Sequence, residues 1–149
     1  MDLDAVRGAL GTGPIDAWLL YDFRGQNPTA VGALGLGGHM LTRRWCFLVP
    51  RTGEPRMLVH AIEKKSLPAQ IPGVVESYSS WSSLETRLKA MLAGCRTVAM
   101  EYCPRGTIPS LSRVDAGTIE LVRSPGVDVV SSADLVQHCL CRWSACQVE

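Results

Sequence analysis

Short unbroken apolar runs alternate along this chain with stretches in which apolar residues recur at helical spacing. Ala17–Tyr21, Trp45–Val49 and Arg56–His60 read as buried strands, each bounded by polar or turn-forming residues. Pro50-Arg51-Thr52-Gly53-Glu54-Pro55 is a tight connection, so the second and third of these runs form an antiparallel hairpin. Val74–Tyr78 alternates more weakly and is a fourth strand; Thr97–Met100 and Val127–Val130 follow. Between them lie amphipathic helices. Asp4–Leu10 carries Ala5, Val6, Ala9 and Leu10 and ends at Gly11 and Gly13-Pro14. Pro28–Leu36 holds a short helix that Gly32 and Gly35 weaken. Ser82–Ala93 has Leu84, Leu88, Met91 and Leu92 on one face, a capping-box pattern at Ser82-x-x-Glu85 and a terminating Gly94. Asp115 caps a helix with Ile119 and Val122 inward, closed by Pro125-Gly126. Ser131-x-x-Asp134 opens the last helix, with Leu135, Val136, Cys139 and Leu140.

The pattern predicts an α/β fold: a single layered domain with a mixed sheet of about six strands flanked by helices. There is no internal repeat and no linker. A chain of 149 residues is the right length for one such domain. Its 46% hydrophobic and 19% charged residues are those of a globular protein. A net charge of +1 gives no electrostatic reason to bind nucleic acid or an anionic membrane. No apolar run approaches the ~20 residues that span a bilayer. The acidic start, Met1-Asp2-Leu3-Asp4, lacks a signal-peptide core, so the expected location is cytoplasmic.

Six cysteines without a secretion signal argue against a disulfide framework in a reducing compartment. Cys139-x-Cys141 with Cys146 supplies three potential thiolate ligands. The spacing lacks paired C-x-x-C hairpins and an obvious fourth ligand, so packed or incidental thiols are the simpler reading. Cys103, beside Pro104-Arg105, is the one weak candidate for a cysteine nucleophile.

The segments around the first two strands hold most of the candidate chemistry. Asp22, Arg24 and Asn27 follow the first strand; His39, Arg43 and Arg44 precede the second. Ordered polar loops on a rigid scaffold are where binding groups sit, and the ends of α/β strands are where such sites are built. Asp22 and Arg24 can equally pair with each other or cap the following turn. Arg43 and Arg44 suit recognition of a substrate carboxylate through the two-pronged guanidinium, though at least one can simply be solvated. His39 sits among glycines, as turn histidines also do. The run Gly32-x-x-Gly35-x-Gly37-Gly38 lacks the Gly-Lys-Ser/Thr ending and the dinucleotide spacing, which excludes a phosphate cradle. A Gly-x-Ser-x-Gly elbow and an H-E-x-x-H pair are also missing. Trp18, Trp45, Trp81 and Trp143 read as core or interface residues.

Five blocks occur in one order: Tyr21-Asp22-Phe23-Arg24-Gly25-x-Asn27-Pro28; Leu41-Thr42-Arg43-Arg44-Trp45; Met100-Glu101-Tyr102; Ser112–Thr118; and Val129–Val136. From about Asp16 to Ser144 the chain resembles the amino-terminal domain of creatinase/prolidase/aminopeptidase P-type (pita-bread) metallopeptidases, in their Xaa-Pro peptidase-like branch. The resemblance implies a non-catalytic domain that contributes to dimerisation and to the wall of the substrate site. Asp22, Arg24, Asn27, His39, Arg43 and Arg44 are then the substrate-binding candidates. It implies no cofactor in this chain, and two divalent metal ions (Mn, Co or Zn) in the catalytic domain of relatives, whose ligand segment has no counterpart here. The implied partners are a second copy or a pita-bread catalytic domain, with a peptide-like substrate in full-length relatives. On this expectation residues 1–144 are the domain and 145–149 the start of a connection to a catalytic domain. The apolar segment Leu135–Trp143 is then the surface a partner covers. Two departures stand out. Pro125 occupies a position where the family has a large apolar residue, and Ala145-Cys146-Gln147-Val148-Glu149 replaces the Pro-Glu-Gln continuation. A free-standing peptide- or protein-binding module derived from the same domain is the alternative.

Overall fold

Every residue of Ala17–Asp22 is buried, and this stretch, β1, is one of the two central strands of the sheet. The computed structural model describes residues 1–141. β2 (Trp45–Pro50), β3 (Arg56–His60), β4 (Val74–Tyr78), β5 (Thr97–Met100) and β6 (Asp128–Ser131) complete a six-stranded sheet in the order β4-β3-β2-β1-β5-β6. β2 runs antiparallel to both β1 and β3. The pairs β1–β5, β5–β6 and β3–β4 are parallel. All strands except β2 therefore finish at one edge of the sheet, and β2 begins there.

Side chains along a strand alternate between faces, and this divides the core into two layers. Ala17, Leu19 and Tyr21 of β1 pack with Leu84, Leu88 and Met91 of α3 (Trp81–Met91) and with Ile119 and Val122 of α4 (Ala116–Arg123). Trp18 and Leu20 face the opposite layer. There they meet Val6 and Leu10 of α1 (Leu3–Gly11), Ala30 and Ala33 of α2 (Pro28–Ala33) and Leu135 of α5 (Ala133–Cys139). Trp18, Trp45 and Phe47 are fully enclosed. Burying a side chain of this kind contributes about 1.5–3 kcal/mol relative to leaving it exposed. The mixed six-stranded α/β sheet expected from the apolar pattern is the sheet observed.

Two local expectations need correction, and a third is narrowed. Helix α3 is capped by Ser80, two residues earlier than the Ser82-x-x-Glu85 pattern suggests. Ser80 is extended (φ −140), its hydroxyl accepts from the Ser83 N–H, and Ser83 Oγ accepts in return from the Ser80 N–H; Ser82 and Glu85 lie inside the helix. The apolar face beginning at Leu135 is not left open. Leu135 is 4% exposed, and Val136, Cys139 and Leu140 pack against the same layer as α1, because the short helix closes that side of the sheet. Arg142, Trp143 and Cys146 lie outside the described residues, as does the expected boundary at 144/145. Of the two places expected for Trp81, core or interface, the core is the one excluded: it is 53% exposed at the start of α3. Trp18 and Trp45 are core, as expected. Cys46, Cys95 and Cys103 carry free thiols, and burial pushes that of Cys46 up to about 12.

Gly73 leads into β4 with φ +82, and a Cβ there would collide with the carbonyl of Pro55, which accepts the Val74 N–H at 2.9 Å. Gly73→Ala is therefore expected to lower stability by about 2 kcal/mol or more, read as the urea midpoint. Gly11→Ala, whose Cβ meets open space at the end of α1, is the control and should be neutral or slightly stabilising. Equal midpoints for the two variants would refute this account of the β3–β4 junction.

Candidate functional site

Placing five strand ends at one edge gathers their following residues there: Phe23 and Arg24 after β1, His60 and Tyr78 at the ends of β3 and β4, and Glu101 after β5. The segment entering β2 adds Arg43 and Arg44. Open α/β sheets present their ligand crevices at this edge.

The turn after β1 is built by two buried side chains. Asp22, 1% exposed, accepts the N–H of Gly25 on Oδ2 and that of Asn27 on Oδ1, both at 2.8 Å. This local capping holds Arg24 and Gly25 at φ 61 and 74. Asn27, also 1% exposed, caps α2 by accepting the Ala30 N–H, and its amide donates to the Tyr21 carbonyl (2.8 Å) and to Glu101 Oε2 (2.7 Å). Glu101 is fully buried, and its Oε1 also accepts from Trp18 Nε1 (2.7 Å) and Ser132 Oγ (2.9 Å). Burial pushes its carboxyl above the ordinary range, although the hydrogen bonds from Asn27, Trp18 and Ser132 oppose the shift.

The segment before β2 is clamped by a second buried acid. Glu63, in the 3-10 turn Ala61–Ser66, accepts from the backbone and hydroxyl of Thr42 (2.8 and 2.7 Å) and from the Arg43 N–H (3.2 Å). Burial works against its ionisation. The Thr42 and Arg43 hydrogen bonds and the Arg43 guanidinium, 3.7 Å away, outweigh this and hold it below the usual glutamate value.

Between these two anchored segments lies a cleft of about 230 Å³ lined by Phe23, Arg44, His60, Tyr78 and Trp81 among others. The Arg44 guanidinium carbon stands 5.2 Å from the Phe23 ring centre and 5.4 Å from that of Trp81. Both are cation–π distances, and they hold an otherwise flexible side chain in place. Tyr78 Oη donates to the Arg44 carbonyl at 2.8 Å, and burial raises its pKa to about 12, so it stays a protonated donor. The His60 ring meets Tyr78 edge to face, with centroids 5.1 Å apart. His60 Nδ1 accepts the Ile62 N–H, which leaves Nε2 as the N–H of the neutral ring. Chemically this is an aromatic-walled slot with a fixed guanidinium. It suits a carboxylate-bearing ligand with a flat or apolar body.

Of the residues singled out in the sequence, Arg43 and Arg44 line the cleft, and Arg24 lies beside it, 5.9 Å from the Phe23 ring centre. Asp22 and Asn27 are turned inward and shape the turn. His39 is exposed; its Nδ1 lies 2.8 Å from the Ser66 carbonyl, and it does not line the cleft. Sequence reasoning missed His60, Tyr78, Trp81 and Glu101 as site residues. The available signal was position: the first two end their strands and Glu101 follows one. Cys103 has a thiol lowered by hydrogen bonds from Thr107 and the Ile108 N–H. No base is among these partners, so the structure gives the nucleophile reading no activating group. Among the described residues no three of His, Cys, Asp or Glu come together to hold a metal ion. The two-metal chemistry implied by the resemblance has no ligand set in them. No helix among them is long and apolar enough to cross a membrane.

No family model and no curated protein matches the chain. Solved structures do. The creatinase/prolidase N-terminal domain of an X-PRO dipeptidase from Streptococcus pyogenes matches with a TM-score of 0.67 at 17% identity, over 91% of this chain and 95% of that one. Dipeptidase PepE from Mycobacterium ulcerans gives 0.70 at 15% identity, over 98% of this chain and 37% of that one. The prolidase from Pyrococcus horikoshii OT3 gives 0.66 at 16%, over 98% and 36%. The chain thus has the fold of creatinase/prolidase N-terminal domains. It spans nearly all of the isolated domain and little more than a third of the two longer enzymes.

Glu63→Gln tests the clamp. A carboxyl held below its unfolded value contributes stability above that value and loses it as pH falls through the folded one. Wild type should exceed the variant by about 1–3 kcal/mol at pH 7, with the gap closing below the ordinary glutamate value of 4.5. Urea unfolding at a series of pH values measures it; a gap that is constant down to pH 3 would contradict the assignment.

Proposed function

We propose that this chain serves as the non-catalytic amino-terminal domain of a Xaa-Pro aminopeptidase/dipeptidase-like metallohydrolase, contributing to dimerisation and to the wall of the substrate site. The observation that carries the reading is the cleft, an arginine fixed between two aromatic rings on a fold shared with dipeptidase N-terminal domains. Arg44 supplies the charge for a peptide-like carboxylate, and Trp81 and Phe23 supply apolar walls for a ring such as that of proline. Arg43 in the cleft lining and Arg24 beside it are the secondary contacts, and His39, outside the lining, is the outermost candidate of the same reading. Asp22 and Asn27 act through the turn. The two divalent metals (Mn, Co or Zn) and the peptide cleavage they support belong to the catalytic domain, which acts as the partner in this reading, as does a second copy of the chain. A cytoplasmic setting is part of the same reading.

The test places this sequence in front of the catalytic domain of a related dipeptidase. Arg44→Ala should raise KM for an Xaa-Pro peptide roughly ten- to a hundredfold, the loss of one charged hydrogen bond, with metal content and dimerisation unchanged. Unaltered KM and kcat in Arg24→Ala, His39→Ala, Arg43→Ala and Arg44→Ala alike would remove the wall role. The isolated chain should hydrolyse no Xaa-Pro peptide. If calorimetry shows that it nonetheless binds one, through Arg44, the free-standing binding module becomes the better description.

A further inference from the structure

The hydrogen bonds around Glu101 do more than satisfy a buried acid. They join three segments that follow three different strands: Asn27 after β1, Glu101 itself after β5, and Ser132 after β6. The Glu101 carbonyl also accepts the N–H groups of Arg113 and Val114, fixing the chain entering α4. From Asn27 the connection continues to Asp22, to the turn at Arg24-Gly25, and so to Phe23, one wall of the cleft. We propose that Glu101 is the positioning residue of the cleft: by holding Asn27, its carboxylate fixes the turn that sets the Phe23 ring against Arg44, so that a change at Glu101 is read at Trp81.

The two carboxylate oxygens are not equivalent. Oε1 accepts two hydrogen bonds, from Trp18 and Ser132, while Oε2 accepts one, from Asn27. A proton arriving at Glu101 goes to the less engaged Oε2, where it confronts the Asn27 amide, itself a donor. That amide is also committed to the Tyr21 carbonyl, and its oxygen to the Ala30 N–H, so it cannot simply flip. Protonation therefore loosens the turn side of the network and spares the Ser132 side. The groups packed around Glu101 are Trp18 from β1, Asn27 at the start of α2, Ser132 before α5 and the backbone of Arg113 and Val114. Asp22 is the nearest other acid along the network, beyond Asn27. Among the described residues no cation lies within ion-pair distance of Glu101. With its carboxyl raised by burial, the folded chain takes up this proton at a higher pH than an ordinary glutamate would. The stability linked to it is fully present below the ordinary value and is lost as pH rises through the folded one.

The experiment needs no ligand, so its outcome is separable from that of the substrate reading. In the full chain the indole N–H resonances of Trp18 and Trp81 are assigned by Trp→Phe variants and followed from pH 8 downwards. Both should titrate with one midpoint above the ordinary glutamate value, and both should be flat in Glu101→Gln. Ser132→Ala removes a donor to the ionised form. It should move the shared midpoint upward by on the order of half a unit and leave the Trp81 resonance at pH 8 where wild type has it. A Trp81 resonance that does not move with Trp18 overturns the proposal. So does one that still titrates in Glu101→Gln, since that midpoint would belong to another group. An equal displacement at pH 8 in both variants would mean general loosening and would also overturn it. If Glu101→Gln does not fold, wild type and Ser132→Ala decide: a common midpoint that moves upward supports the positioning role, and one that stays fixed refutes it.

Discussion

A fully buried carboxylate, with no counter-ion among the described residues, is the constraint around which the site is organised. Desolvating such a group costs on the order of several kcal/mol, and here three neutral donors offset the cost. Each donor comes from a different segment, so the carboxylate is satisfied only when the indole of β1, the turn before α2 and the residue capping α5 converge. A buried polar network of this kind has few alternative arrangements, because a half-satisfied one is worse than none. It fixes where the strand ends leave the sheet, and the cleft inherits that geometry.

The antiparallel placement of β2 matters for the same edge. Five strands end there, and β2 begins there after a loop that brings Arg43 and Arg44 alongside the residues following β1, β3 and β4. A single reversed strand thus delivers two arginines to a surface otherwise made of carboxyl-terminal strand ends. Glu63 holds one of them at its backbone and pairs with its side chain. The other is left for the aromatic slot. The division of labour between the adjacent arginines follows from their partners: Glu63 engages Arg43, while the Phe23 and Trp81 rings flank Arg44.

Much of the scaffold was legible in the residues themselves. Runs such as Ala17–Tyr21 and Arg56–His60 are too apolar and too short to be anything but buried strands, and their spacing from amphipathic stretches points to a layered α/β domain. Asp115 at a helix start and the reading of Asp22 as a cap to its own turn rest on interactions a few residues apart, which sequence patterns report directly. The α3 cap was misplaced by two residues because Ser79-Ser80-Trp81-Ser82-Ser83 offers several serines of equal local merit. Only the docking of Leu84 and Leu88 against the sheet selects among them.

The site was legible only in part. Arg44 was visible as a charged residue entering a buried strand; its rank above Arg43 was not, since that depends on Glu63, twenty residues away, and on Trp81, further still. Glu101 is separated by 74 positions from Asn27 and by 83 from Trp18. No periodicity or spacing encodes such a contact, because it is created by which strands become neighbours. The sequence by itself determined the elements, their two-layer burial and the local turns, all governed by interactions over a few residues. Tertiary structure decided which acid is buried among neutral donors, which arginine is held between rings, and which candidates face inward, because those outcomes depend on desolvation and contact between segments that meet only once the sheet has formed.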